Sequence, residues 1–518
     1  MHDCDTTLTD HIIVTKQSTQ HVASQLCDQH STYVYSHVKM ARLTTVTVVK
    51  RVWIVMVFFV FFLIMLLVYM GTPAKNSLSK LRKPTRFVAV GDIATTNSDN
   101  CRLLQRQSET SWQMLRYIPF KIPKPSILYL LHSYYDDRGE RNKVVKLYTI
   151  SNVHKIKSIY CYFWTGAGCE ESPIRSKGAY KKLLAPQKSI LVEGLKYYSS
   201  QLVCNVPKTT SKLRFKGVSI SRDRRPLRLS NYVPIYYPQK PQKYEHEFGV
   251  CVVVSYGRMV GQDKLTSMIE WFEFNRLLGV TEFNIYNASL EIDYAMKRLF
   301  EYYVNKSVLH VRKHATPFDK ETSDGHRLLF YSSLGDCLYR NMYRYKYVIT
   351  IDFDEIIVPV RMRSYRQLLQ EYENSTGHVP LRRSLRFKSH SYYKDQTPDL
   401  AQPSRLPSLQ YRQHWFDPLR IKSMHNPRLC TNYMLQHFCS PNRALPILSE
   451  TVASVHHYRV NCMQSHFQST KDPGERVRSM CQKHLNTTAL IDDDILLFKS
   501  DLLKRVNLVY TELFPDES

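Results

Sequence analysis

This chain lacks a second apolar run long enough to cross a membrane. Of its 518 residues, one uncharged stretch reaches that length, the 19 residues Val52–Met70 (VWIVMVFFVFFLIMLLVYM). As a helix it would be about 28 Å long, close to the hydrocarbon thickness of a bilayer. A single span is therefore the reading. The stretch also lacks the marks of a cleaved signal, which has a shorter apolar core nearer the N terminus and small residues at its end. An uncleaved anchor is expected. Absent too is the paired Cys/His spacing of a structural zinc site. Acidic residues are scarce: 45 Asp and Glu stand against 72 Lys and Arg, a net charge of +27. Residues 1–51 carry +1 and the span none, so +26 falls on the part that follows.

The location of that part narrows its partners. Lys39, Arg42, Lys50 and Arg51 precede the span and Lys75, Lys80, Arg82, Lys83 and Arg86 follow it, so charge alone does not orient it. Four Asn-X-Ser/Thr sequons, at Asn287, Asn305, Asn374 and Asn486, all follow the span, as do ten of the twelve cysteines. Both features suit an oxidising, glycosylating compartment. The expectation is a short cytosolic tail and a large lumenal part. Its basic surface is then expected to meet nucleotide phosphates, acidic glycans or lipids rather than nucleic acid, or equally to be a solvated face with no specific partner.

Residues 1–51 are polar without a helical period, which predicts disorder. Residues 71–86, rich in Ser, Lys, Pro and Asn, read as a stem. Residues 87–243 hold short strand-like runs (RFVAV, SILYLLHSYY, VVKLYTI, KIKSIYCYFW, LRFKGVSIS) and end in the proline-rich segment Pro226–Lys243. This predicts a β-rich, sandwich-like module followed by a linker. From residue 244 to the end, strands and helices alternate. Strands are expected over Gly249–Tyr256, Glu282–Tyr286, Ser307–Arg312 and Tyr347–Ile351. Helices are expected over Lys264–Leu278, stopped by Gly279, over Asp293–Val304 and over Arg327–Tyr345. Such alternation predicts a parallel sheet with helices on both faces and a ligand at the carboxyl ends of its strands.

Three carboxylates follow the last of these strands: Asp352, Asp354 and Glu355, in YVITIDFDEIIVP (347–359). On a strict strand, Asp352 and Asp354 share a face. Two like charges beside a buried strand need something positive between them. A divalent cation with oxygen ligands fits, held against a nucleotide diphosphate. The bland alternative is an exposed acidic turn.

An ordered set of segments resembles glycosyltransferase family 92, whose catalytic domain is of the GT-A type, a Rossmann-like mixed sheet with flanking helices. The segments are LHSYYDDR (131–138), CVVVSYG (251–257), IEWFEFNRLLGVTEFNIYNAS (269–289), GDCLYRNMYRYKYVITIDFDEIIVP (335–359), KSMHNPRL (422–429) and VHHYR (455–459). The likeness spans roughly residues 125–465. It implies a type II Golgi membrane protein that moves a sugar, often galactose from UDP-galactose, onto a glycan or glycoprotein, with a divalent metal, usually Mn2+.

The resemblance also assigns expectations to residues. Asp352 and Asp354 hold the metal and the diphosphate, with Glu355 beside them. Tyr256 and Arg258 end the first strand, where uridine and phosphate are received. Asp336, in the helix before the DFDE strand, faces the nucleotide sugar, although with Arg340 it is equally an i,i+4 helix salt bridge. A late histidine completes the metal shell: His457 or its neighbour His456, with His437 a weaker candidate. Asn287 heads a sequon near the uridine pocket, where a glycan would block the donor. An inverting transfer also needs a base near the acceptor; Asp395, Asp399 and Asp417 are candidates, although each taken alone reads more readily as a solvated loop carboxylate. Two other readings stand beside the enzyme: a non-catalytic, lectin-like relative, which the intact DFDE opposes, and an adhesion ectodomain that binds acidic glycans.

Overall fold

The structure, a computed structural model, describes residues 112–515 except for short segments and the longer stretch 461–489. The expected tail, anchor and stem lie outside the described residues, as do Asp395, Asp399, Asn486 and the side chain of Asp417. No described helix is long and apolar enough to cross a membrane.

Two sheets carry the described part. The strand β1 (Trp112–Met114) belongs to the second. The first sheet has nine strands: β2 (Ile118–Lys121), β3 (Ile127–Asp136), β4 (Val144–Ser151), β5 (Tyr160–Trp164), β6 (Ile174–Lys182), β7 (Ile190–Val192), β8 (Leu195–Asn205), β9 (Gly217–Ser221) and β10 (Val233–Tyr236). Their order is β2-β3-β4-β8-β6-β5-β9-β10, with β7 on β8, and β10 pairs back onto β3. The expected sandwich is thus a sheet closed on itself, which leaves fewer open edges. The proline-rich segment expected as a linker supplies the closing strand β10. Alternate residues such as Leu128, Leu130, Val145, Leu147, Leu202 and Val218 fill the interior, beside a Cys161–Cys204 disulfide.

The second sheet has eleven strands: β1, β11 (His246–Val252), β12 (Ser255–Met259), β13 (Val280–Ile292), β14 (Leu309–Lys313), β15 (Tyr345–Ile351), β16 (Glu355–Pro359), β17 (Ser384–Tyr393), β18 (Gln413–His425), β19 (Ala453–Arg459) and β20 (Leu490–Ile491). Its order is β1-β14-β13-β11-β15-β18-β17-β19-β16. Strands β14, β13, β11 and β15 are mutually parallel, as expected. Beyond β15 the pairing with β18 and of β18 with β17 is antiparallel, so the sheet is mixed. The run expected as one strand over Gly249–Tyr256 breaks after Val252, and both pieces pair with β13.

The main helices are α1 (Gln262–Leu277), α2 (Tyr294–Asn305), α3 (Phe330–Asn341), α4 (Tyr365–Ser375), the short α5 (Pro407–Gln410) and α6 (Lys499–Leu513). In α2, Met296, Leu299, Phe300 and Tyr303 are buried at helical spacing, and Asp293 caps the start by accepting the Met296 N–H at 2.9 Å. Gly279, at φ +109°, ends the turn after α1, in a conformation that few other residues adopt. The long helix expected over 327–345 is a 3-10 turn, Gly325–Leu329, followed by α3; Tyr345 already lies in β15.

The LHSYYDDR segment, on β3, joins the two sheets. Asp336 of α3 is fully buried and accepts hydrogen bonds from Tyr134 of β3 at 2.6 Å, Tyr286 of β13 at 2.7 Å and Arg340 at 2.8 and 2.9 Å. Two residues further along β3 the same logic repeats. Asp136 meets Arg138 at 2.7 Å, Lys146 at 2.8 Å and the Tyr339 hydroxyl of α3 at 2.9 Å. Gly335 gives room for this contact, because a Cβ there would lie 2.2 Å from the Tyr148 ring of β4. A Cys251–Cys337 disulfide ties α3 to β11. The helix before the acidic turn is therefore held from both sides.

Candidate active site

The apolar strand β15 is a central strand, parallel to β11 and antiparallel to β18, and it ends at Ile351. The chain then turns. Glu355 donates its N–H to the Asp352 carbonyl at 3.2 Å, and β16 starts at Glu355, opposite His457 of β19. The Asp354 carbonyl accepts the Tyr458 N–H at 2.8 Å, which pins the turn to β19. Asp352 and Asp354 consequently do not share one strand face, as a strict alternation predicts. They sit in a turn and face different partners.

Asp352 is turned to Lys422 of β18. The Lys422 ammonium lies 2.7 Å from Asp352 Oδ2 and 2.6 Å from Glu355 Oε2, and Gln436 Nε2 donates to Asp352 Oδ1 at 2.9 Å. Burial lowers the Lys422 pKa, but the two carboxylates outweigh it and raise the pKa above the usual lysine value, so the cation persists. Asp354 is turned to His457, with Nε2 3.0 Å from its Oδ2. On the other side of the same ring, Nδ1 lies 3.2 Å from Glu355 Oε1. Half of the Asp354 side-chain surface is open to the cleft, whereas Glu355 and His457 are buried. Desolvation acts to raise the Asp354 pKa, but His457, then Arg459 and Lys422, outweigh it and hold the carboxyl well below the usual range.

The residues present fit a divalent metal. Asp354, Glu355 and His457 offer one donor atom each, all within 4.8 Å of one another. Glu355 Oε1 and His457 Nδ1 are buried, and neither has an aligned hydrogen-bond partner. Such orphaned atoms are costly unless something completes them. Two carboxylates and one imidazole suit a cation such as Mn2+. Of the metal set expected from sequence, Asp354 and His457 belong to this cluster together with Glu355, whereas Asp352 is engaged by Lys422 and Gln436.

Asp352, Asp354 and His457, with Glu355 buried against His457, line one wall of a cleft of about 590 Å³. Tyr256 and Arg258 line it as expected. Tyr256 stacks on His326, ring centroids 3.4 Å apart, and Arg258 lies 3.4 Å from the exposed Glu291. Asp336 and Arg340 do not reach the cleft; they belong to the buried junction with β3, and the i,i+4 salt bridge is the part of the reading that the structure contains. Strand alternation separates the two late histidines. His456 faces away from His457, 3.0 Å from Asp492 and stacked on Tyr392. His437 bonds the Ile421 carbonyl and joins no described cluster. Asn287 lies in β13, its Oδ1 accepting the Leu290 N–H at 2.8 Å. Sequence reasoning missed His326, Arg327, Lys394, Arg420, Lys422 and Glu270, all at or under the cleft. Lys422 and Glu270 lie in the segments KSMHNPRL and IEWFEFNRLLGVTEFNIYNAS, to which no role was assigned, and no local pattern marks the other four.

Residues 246–496 match Glycosyltransferase family 92. This segment belongs to that family. Every cleft residue named above lies inside the family 92 segment, while the closed β-sheet and the LHSYYDDR strand precede it; the likeness expected from about residue 125 begins at 246. No curated protein matches the chain. Among solved structures, it is similar to S. aureus TarS 1–349 in complex with UDP, with 11% identity over 46% of this chain and 71% of that one and a TM-score of 0.24. A second structure of TarS 1–349 gives 14% identity over 51% and 72%, with a TM-score of 0.23. At these TM-scores neither likeness bears on the fold or the ligand.

Proposed function

We propose that this glycosyltransferase moves a hexose from a UDP-sugar onto a glycan or glycoprotein acceptor, with inversion and with a divalent metal, and that UDP-galactose and Mn2+ are its donor and cation. The observation that carries the reading is the convergence of Asp354, Glu355 and His457 at a cleft that Asp354 and His457 line. Those three would hold the metal, which supplies positive charge to the leaving diphosphate. Lys422 holds Asp352 and Glu355 in place through its two ion pairs. The Tyr256–His326 pair offers a flat aromatic surface for a base, and Arg258 a charge-assisted donor for phosphate.

The same proposal places the protein in the Golgi membrane as a single-pass type II enzyme. Residues 1–51 face the cytosol, 52–70 form the anchor and 71–86 the stem. Residues 87–243 form the β-rich lumenal module and 244–518 the catalytic domain. The sequons and cysteines after the anchor support this orientation.

The test is a donor screen. Detergent-solubilised full-length chain is given each UDP-sugar with and without Mn2+, and released UDP is measured. Turnover with UDP-galactose that requires Mn2+ is expected. Silence with every donor, together with glycan binding that fades with salt and ignores Mn2+, would instead favour the adhesion reading.

A further inference from the structure

The proposed transfer requires a group that takes the acceptor proton, and the cleft contains a carboxylate that the metal wall does not use. Three acidic side chains line the cleft among the described residues: Asp352, Asp354 and Glu270. Asp352 is ion-paired with Lys422 and Asp354 with His457. Glu270, in the middle of α1, forms no described ion pair. It is 3% exposed, and its Oε1 accepts both the N–H of Ser408, at 3.1 Å, and the Ser408 hydroxyl. The Ser408 contacts fix the carboxylate through one oxygen, and Oε2 has no described hydrogen bond.

The position of Glu270 is set by its neighbour. Trp271 donates its indole N–H to the Glu355 carbonyl at 2.9 Å, so this turn of α1 is tied directly to the residue that starts the metal wall. Lys394, just past β17, lines the same cleft and acts electrostatically on both Glu270 and Asp354. Helix α1 thus brings a held but uncommitted carboxylate to the cleft that contains the metal wall.

We propose that Glu270 is the catalytic base of the transfer, which rests on the glycosyltransferase reading above. The acceptor oxygen bonds the anomeric carbon as the bond from that carbon to the UDP oxygen breaks. The bonding pair leaves with UDP, and the hydroxyl proton passes to Glu270 Oε2 and then to solvent. The electrostatic surroundings suit the task. Burial raises the Glu270 carboxyl to about 7, against Ser408 and Lys394, which lower it. A base is most effective when its pKa lies near the working pH. The groups that face it are Lys394 beside β17, Ser408 on α5 and Tyr458 on β19, with Lys264 on its own helix acting on Lys394. Tyr458 is held far above the usual tyrosine range by burial, so it stays neutral.

The experiment compares full-length wild type with Glu270→Gln. Glutamine keeps an oxygen for Ser408 and removes the base. The expected result is Mn2+-dependent UDP binding within about twofold of wild type, a melting temperature at pH 8 no lower than wild type, and transfer reduced about 100-fold or more. The wild-type kcat/KM for the acceptor rises with pH through about 7 and then levels; the variant lacks that rise. Near-normal transfer by the variant with the pH rise intact overturns the base while leaving the glycosyltransferase reading in place. Joint loss of UDP binding and melting temperature also overturns it, in favour of a packing role. A product of retained configuration does the same. A wild-type chain that neither binds UDP nor turns over any donor overturns both readings.

Discussion

The ammonium of Lys422 lies 2.6 Å from the carboxylate of Glu355, and both side chains are almost wholly out of water. A buried pair of this kind contributes little compared with an apolar pair of equal volume, but breaking it is costly because one charge stays behind. Lys422→Met is expected to destabilise the protein by about 3–5 kcal/mol, measured by urea unfolding, because Glu355 is left unpaired. A loss below about 1 kcal/mol would show that water already reaches the pair.

The carboxylates of the DFDE turn have unequal roles, although the sequence makes them look equivalent. Asp354→Ala and His457→Ala are expected to weaken Mn2+ binding, read by the Mn2+ resonance signal, by at least 10–100-fold, the usual cost of disturbing a metal shell. Asp352→Asn, whose side chain faces Lys422 and Gln436, is expected to weaken it less than either. Equal losses at all three positions would restore the simple aspartate pair.

Asp336 and Asp136 make the junction between the sheets sensitive to acid. Burial acts to raise both pKa values, but Arg340 and Arg312 outweigh it for Asp336, and Arg138 and Lys146 for Asp136. Both carboxyls end well below the ordinary 3.8. A group depressed in the folded state contributes stability that is complete above its unfolded pKa and is lost as pH falls below it. Melting temperature should therefore drop steeply below about pH 4. Asp336→Asn should lower stability at pH 7 by about 3–5 kcal/mol, since Arg340 loses its buried partner, and should flatten the acid limb. An unchanged acid limb in the variant would rule out this origin.

Asn305 and Asn374 are exposed at the C-terminal ends of α2 and α4, whereas Asn287 is held within β13 by its bond to Leu290. If the chain after residue 70 is lumenal, N-glycosidase treatment of protein made in a secretory-competent cell should increase its gel mobility. Asn305→Gln and Asn374→Gln should each remove part of that shift and Asn287→Gln none of it.

Much of the local architecture was legible from residue order. Helix α2 follows from the spacing of Met296, Leu299, Phe300 and Tyr303 behind a capping Asp293, and β15 from an unbroken apolar run, because period and capping act within a few residues. The parallel pairing of β11, β13, β14 and β15 followed from helices between strands. The closure of β10 onto β3 was not legible, since nothing in the proline-rich segment marks a partner about a hundred residues earlier. The early end of α3 was missed because Tyr345 continues the helical spacing yet packs better in a strand.

The sequence by itself determined that three carboxylates follow a buried strand and that a histidine pair lies late in the same domain, since both depend on residue type at fixed short spacing. Only the tertiary structure decided that His457 rather than His456 faces that turn, that Lys422 occupies Asp352, and that Glu355 joins Asp354. The contacts made by Lys422 and His457 cross 67 to 103 residues of chain, as between Lys422 and Glu355 and between His457 and Asp354. Strand register sets them, and it emerges from packing of the whole sheet rather than from any local pattern.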